Sequence, residues 1–77
     1  MKEVFLVEVI RYGDPDLGVQ PYGIFDNFDI IEPMMREYNE FRGGKYPAYY
    51  VTSTELNPNG MQQFDKVFRV LYTLNET

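Results

Sequence analysis

The chain has 77 residues and a formal net charge of −5, with seven Tyr, six Phe and no Cys, His or Trp. Twelve acids against seven bases oppose binding to a polyphosphate backbone, so no direct nucleic-acid partner is expected. Lacking Cys and His, the chain cannot use disulfide or zinc staples. A domain of this size buries only about 60–65% of its unfolded surface, so oligomerisation or a partner is the remaining common remedy.

Residues 3–12 are dominated by Val, Phe, Leu and Ile. Both alternating sets, Phe5, Val7, Val9 and Val4, Leu6, Ile10, are apolar apart from Glu8, as in a strand covered on both faces. The same stretch is too short for a signal peptide or a membrane span, which leads to the expectation of a soluble cytoplasmic protein with no membrane partner. Gly13-Asp14-Pro15-Asp16-Leu17-Gly18 is a dense turn signal. A shorter strand over residues 19–26 follows around Tyr22, Ile24 and Phe25, with Pro21 pushing it to a sheet edge because proline cannot donate to a ladder.

Asp26-Asn27-Phe28-Asp29 offers N-cap side chains, and Asp29 with Glu32 fits a capping box. A helix over about residues 28–42 carries the stripe Phe28, Ile31, Met35 and Tyr38, flanked by Met34 and Phe41. Pro33 is comfortable only in a first turn, which moves the regular helix closer to residue 32. Gly43-Gly44 after Arg42 predicts a left-handed C-terminal cap. The run Tyr46 to Leu56 is aromatic and β-branched, hence a third strand, and Asn57-Pro58-Asn59-Gly60 is a turn. From Met61 to Leu74 two readings stand. Phe64, Val67, Phe68, Leu71 and Leu74 fit a helical stripe, while Phe68, Val70, Tyr72 and Leu74 alternate as a strand does; the local composition tips the balance to strand.

The expected architecture is a single α+β domain of order ββαβ(β), a three- to four-stranded, mostly antiparallel sheet with one helix on one face. The second face would then keep large groups such as Leu6, Tyr22 or Phe25 and some of Tyr49, Tyr50 and Tyr72, more than a small monomer usually leaves wet. A homodimer or a partner on that face is expected.

The order of elements, with Tyr22-Gly23-Ile24-Phe25, Asp26-Asn27-Phe28, the acidic helix, Gly43-Gly44 and the Tyr49 to Leu56 strand, resembles small bacterial and phage domains of the strand-strand-helix-strand type. The resemblance spans roughly residues 4–70 and departs from that pattern at Pro33. Those domains have no assigned activity, so no functional residue is carried across. What the resemblance implies is an accessory protein of a phage or mobile element, acting in the host cytoplasm by binding and blocking a host protein.

Asp14 and Asp16 before Gly18 look like a fragment of a Ca²⁺ loop, but the twelfth position, which needs a bidentate Glu, is Phe25; the turn reading is preferred. Gly43-Gly44-Lys45 lacks the first Gly and the Ser or Thr of a phosphate loop and reads as a helix cap. Asn75-Glu76-Thr77 matches a glycosylation sequon without an export signal to give it context. With no His or Cys to activate a nucleophile, and too small a domain for a deep carboxylate cleft, neither enzymatic activity nor a cofactor or metal is expected. The acids Asp26, Asp29, Glu32, Glu37 and Glu40 could imitate phosphates, or form a solvated face in which Arg36 pairs with Glu32 and Glu40.

Tyr46, Tyr49, Tyr50 and Tyr72 are the candidate partner-binding residues, with Glu37 and Glu40 beside them, because Tyr buries a large area at low entropy cost. Tyr49 and Tyr50 must point to opposite faces of a regular strand, so at most one belongs to the core. The expected function is that of a small acidic protein-binding module that binds and inhibits or redirects a host protein. The alternatives are a domain that binds or sequesters a nucleotide-like ligand and a minor structural subunit.

Overall fold

The computed structural model describes residues 2–57 and 68–74. Four strands form one antiparallel sheet in the order β2-β1-β3-β4: β1 is Lys2–Ile10, β2 Val19–Phe25, β3 Ala48–Leu56 and β4 Phe68–Thr73. Among the described residues one α-helix, α1 (Ile31–Phe41), crosses one face. This is the expected α+β order, with β1 central and β2 at an edge. The last segment is a strand where it is described, and Met61 to Val67 and most of the Asn57 to Gly60 turn lie outside the described residues. No helix among the described residues is long and apolar enough to cross a membrane.

Each element has a local cause. The β1–β2 connection closes through the Arg11 N–H donating to the Gly18 carbonyl at 3.2 Å, and its interior turn is capped by Asp14 Oδ1 accepting from the Asp16 N–H. Both carboxylates of the Ca²⁺-like fragment therefore sit in a turn, one of them as its cap. In the approach to α1, Asn27 Oδ1 accepts from the Asp29 N–H and starts a 3₁₀ turn over Phe28–Ile30. The capping box of Asp29 and Glu32 is not formed: the α-helical N-cap is Ile30, which offers no side-chain acceptor. Asn27, two residues ahead of Asp29, takes the first orphan N–H and tightens the turn before the α-helix begins. Pro33 then falls in the first α-helical turn, where its missing N–H costs no hydrogen bond. At the other end Gly43 and Gly44 both have φ near +75°, and their N–H groups donate back to Glu40 and Asn39 at 3.0 and 2.8 Å. That pattern satisfies two orphan carbonyls.

The sheet side facing α1 carries Val7 and Val9 of β1, Tyr49 and Val51 of β3, and Ile31 and Met35 of the helix. An eleven-residue helix is too narrow to roof four strands, and rings fill the margins. On the β2 side, Phe25, Tyr22, Tyr38, Tyr46 and Tyr12 follow one another with centroids 4.7–6.1 Å apart. On the β4 side, Phe5, Phe28, Tyr72 and Tyr49 do the same at 5.3–6.0 Å. Of the groups expected on the other face (Leu6, Tyr22 or Phe25, and some of Tyr49, Tyr50 and Tyr72), Leu6 and Tyr50 lie there, whereas Tyr22 and Phe25 do not: they pack on the helix side, as do Tyr49 and Tyr72. For Tyr22 the cause is a bulge. The pairing of β1 with β2 slips between Val7 and Glu8, leaving Tyr22 as an extra residue between Gly23 and Pro21 and re-aiming its ring toward Tyr38.

The opposite face carries Leu6 and Glu8 of β1, Tyr50 and Thr52 of β3, and Arg69 and Leu71 of β4, as the register requires. Arg69 reaches across β3, lies 4.9 Å over the Tyr50 ring and pairs with Glu8, whose side chain is only 13% exposed. The one charge between Val4 and Ile10 thus has a cation brought to it from two strands away.

Candidate partner-binding site

Three of the four expected contact tyrosines lie on the helix side. Tyr46 is buried between Tyr12 and Tyr38, and its N–H donates to Asn39 Oδ1 at 2.8 Å. Tyr49 is buried and stacks on half-buried Tyr72 at 5.3 Å, and burial, followed by the nearby Glu32 carboxylate, holds its hydroxyl above its ordinary pKa. Tyr50 alone takes the opposite face, half-buried beneath Arg69. The alternation of Tyr49 and Tyr50 to opposite faces is as expected, with Tyr49 as the core member. Tyr46 and Tyr49 leave little surface for a partner because their rings complete the narrow roof.

Glu37 and Glu40 are exposed on α1 and make no ion pair among the described residues, whereas Arg36 pairs with Glu32 at 2.8 Å. Around Glu37 the helix and β2 leave a shallow cleft of about 220 Å³, lined by Tyr22, Met34, Glu37, Tyr38 and Phe41. Phe41 is 82% exposed at its rim. Ile30, Met34, Glu37 and Phe41 are spaced by four, three and four residues, so they form a second stripe along the helix, next to the core stripe of Ile31, Met35, Tyr38 and Asn39. All three apolar members of that outer stripe are exposed. The stripe was legible in the spacing, where Met34 and Phe41 read only as flanks of the core stripe. Asn39 was not singled out at all; its buried oxygen fixes the loop that delivers Tyr46 to the core.

Beyond the C-terminus of α1 the charge reverses. Arg42 lies over the Tyr46 ring at 5.4 Å and Lys45 over the Tyr12 ring at 5.8 Å. These contacts draw both cations to the ring pair at the helix end, leaving Glu37 as the charged side chain on the cleft wall. The arrangement offers an apolar contact surface with carboxylates beside it. The chain matches no protein-family model, and comparison with curated proteins and with solved structures returns no match.

Proposed function

We propose that this chain is a small protein-binding module whose contact site is the cleft between α1 and β2, with Phe41 and Met34 as the apolar anchors and Glu37 and Glu40 selecting a basic segment of the partner. The observation that carries this reading is the outer stripe of α1. A helix that already buries one apolar stripe gains nothing in its own core from a second, and an exposed Phe beside a cleft is the usual form of an interface anchor. The wider role is that of a phage or mobile-element accessory protein that inhibits or redirects a host protein in the cytoplasm. The resemblance to small phage and bacterial domains supports that role.

A nucleotide-like ligand is less well supported, since about 220 Å³ falls short of the ~300–1,000 Å³ of ordinary small-molecule pockets. The test is capture of a host protein on immobilised protein, compared with a Phe41→Ser variant. The partner should be retained by the parent chain, lost from the variant and displaced by a lysine-rich amphipathic peptide. Equal retention by both proteins would overturn the assigned site, and release by a nucleotide but not by the peptide would replace it with the ligand reading.

A further inference from the structure

The two edges of the sheet are built differently. β2 has the devices that stop a strand from pairing further: Pro21, which lacks an N–H, and the bulge at Tyr22, which breaks the ladder. β4 has neither. Its sequence Phe-Arg-Val-Leu-Tyr-Thr pairs with β3 in unbroken register, and among the described residues nothing lies beyond it in the sheet. Val70 and Leu71 are 49% and 51% exposed on this edge. The only charge of β4, Arg69, is already neutralised by Glu8, so the strand itself presents no unpaired like charge to a second copy despite the net charge of −5.

The outward-facing backbone of β4 can be read from its end. The Leu74 N–H donates to the Pro47 carbonyl at 2.7 Å, so the main-chain groups of Leu74 face β3. By the two-residue period those of Tyr72 and Val70 do the same, and those of Arg69, Leu71 and Thr73 face away from the sheet. We propose that two copies of this chain pair β4 against β4, antiparallel about a two-fold axis at Leu71, joining the two four-stranded sheets into one. Leu71 then exchanges both main-chain hydrogen bonds with its own counterpart, and Arg69 does so with the second copy's Thr73. Side chains fall into matching pairs: Leu71 on Leu71 on the open face, Val70 beside the second copy's Tyr72 on the helix side, and Arg69 beside Thr73. The two Arg69 side chains never face each other. A register centred on Val70 would also form a ladder, but it would set the Arg69 side chain beside the second copy's Leu71, whereas the register centred on Leu71 puts Leu71 on Leu71 and Arg69 beside Thr73. The edge is therefore complementary to itself, as a two-fold interface must be.

This surface is separate from the α1–β2 cleft, and the two can fail independently. The chain has no native Cys, so a Leu71→Cys variant reports one contact only. Directly opposed, hydrogen-bonded residues have Cα atoms about 5.5 Å apart, within reach of a disulfide. Mild oxidation should give a covalent dimer of Leu71→Cys but not of Ile24→Cys on the β2 edge, and Phe41→Ser should leave the cross-link intact. In light scattering the parent chain should have twice the single-chain mass of 9.1 kDa. Leu71→Lys, placing two ammonium groups on the axis, should halve that mass with the circular dichroism spectrum unchanged. A parent chain of single-chain mass at high concentration would overturn the proposal. So would cross-linking of Ile24→Cys equal to that of Leu71→Cys, or a Leu71→Lys variant that still dimerises.

Discussion

The β2 and β4 sides of the sheet use the same material, a row of stacked aromatic rings beside the helix, and arrive at opposite surfaces. On the β2 side the ring row runs from Phe25 through Tyr22 and Tyr38 to Tyr46 and Tyr12, and the strand it borders is closed to further pairing by Pro21 and a bulge. What remains accessible there is side chain: Phe41, Met34 and the two glutamates. On the β4 side the row runs from Phe5 through Phe28 and Tyr72 to Tyr49, and the strand beyond it is regular. What remains accessible there is main chain. A side-chain surface selects a partner by shape and charge, whereas an open main-chain edge accepts a strand, so one small sheet can hold two recognition modes.

The comparison breaks most severely if the layer shared by both sides fails. Met35→Ala empties a fully buried position between the two ring rows and should cost about 2–5 kcal/mol, measured as a fall in the urea midpoint at unchanged slope. Asn39→Ala touches the β2 side alone. It strands the Tyr46 N–H in the core and should cost about 1–3 kcal/mol, while the Leu71→Cys cross-link persists, because the β4 edge does not depend on that loop.

The β4 side has its own probe in Tyr49. Its folded-state pKa is raised, first by burial, so the folded chain holds the hydroxyl proton more tightly than the unfolded chain does. The stability this contributes is fully present below the ordinary tyrosine value of about 10 and is lost as pH rises through that value toward the folded one. Tyr49→Phe should flatten the decline of the urea midpoint in that alkaline window, and an equally steep decline in the variant would place the titrating group elsewhere. Phe41→Ser should shift stability by no more than about 0.5 kcal/mol, as at other exposed sites, while abolishing partner capture. The smallest stability effect should come from Pro21→Val. It restores an N–H to the blocked edge and leaves the fold intact, so any gain appears as species heavier than a dimer in light scattering.

Much of the local structure was legible in the residues. The turn at Gly13 to Gly18, the position of Pro33 in a first helical turn, the double-glycine cap and the edge placement of β2 each follow from a conformational preference that does not depend on distant neighbours. The capping box was not legible as a failure, because Asn27 and Asp29 compete for neighbouring N–H groups and the geometry of the approach from β2 chooses between them. The candidate site was visible only in fragments. Glu37 and Glu40 are exposed as expected, yet the apolar anchors beside them, Met34 and Phe41, fall on the helix flank, and spacing alone does not say which of two adjacent stripes the sheet will claim.

By itself the sequence determined the kinds of elements, their order and the surplus of rings that had to be placed somewhere. Tertiary structure decided where. In β1 both alternating sets are apolar, so period-two patterning names two faces without saying which one the helix covers. Only packing against Ile31 and Met35 assigns Val7, Val9, Tyr49 and Tyr72 to the inside. For Tyr22 even the alternation misleads, since one bulged residue reverses the side a ring takes. The surplus of rings, which as composition pointed to an exposed sticky face, mostly completes a core that one short helix is too narrow to close, and the surfaces left for partners lie at its two margins.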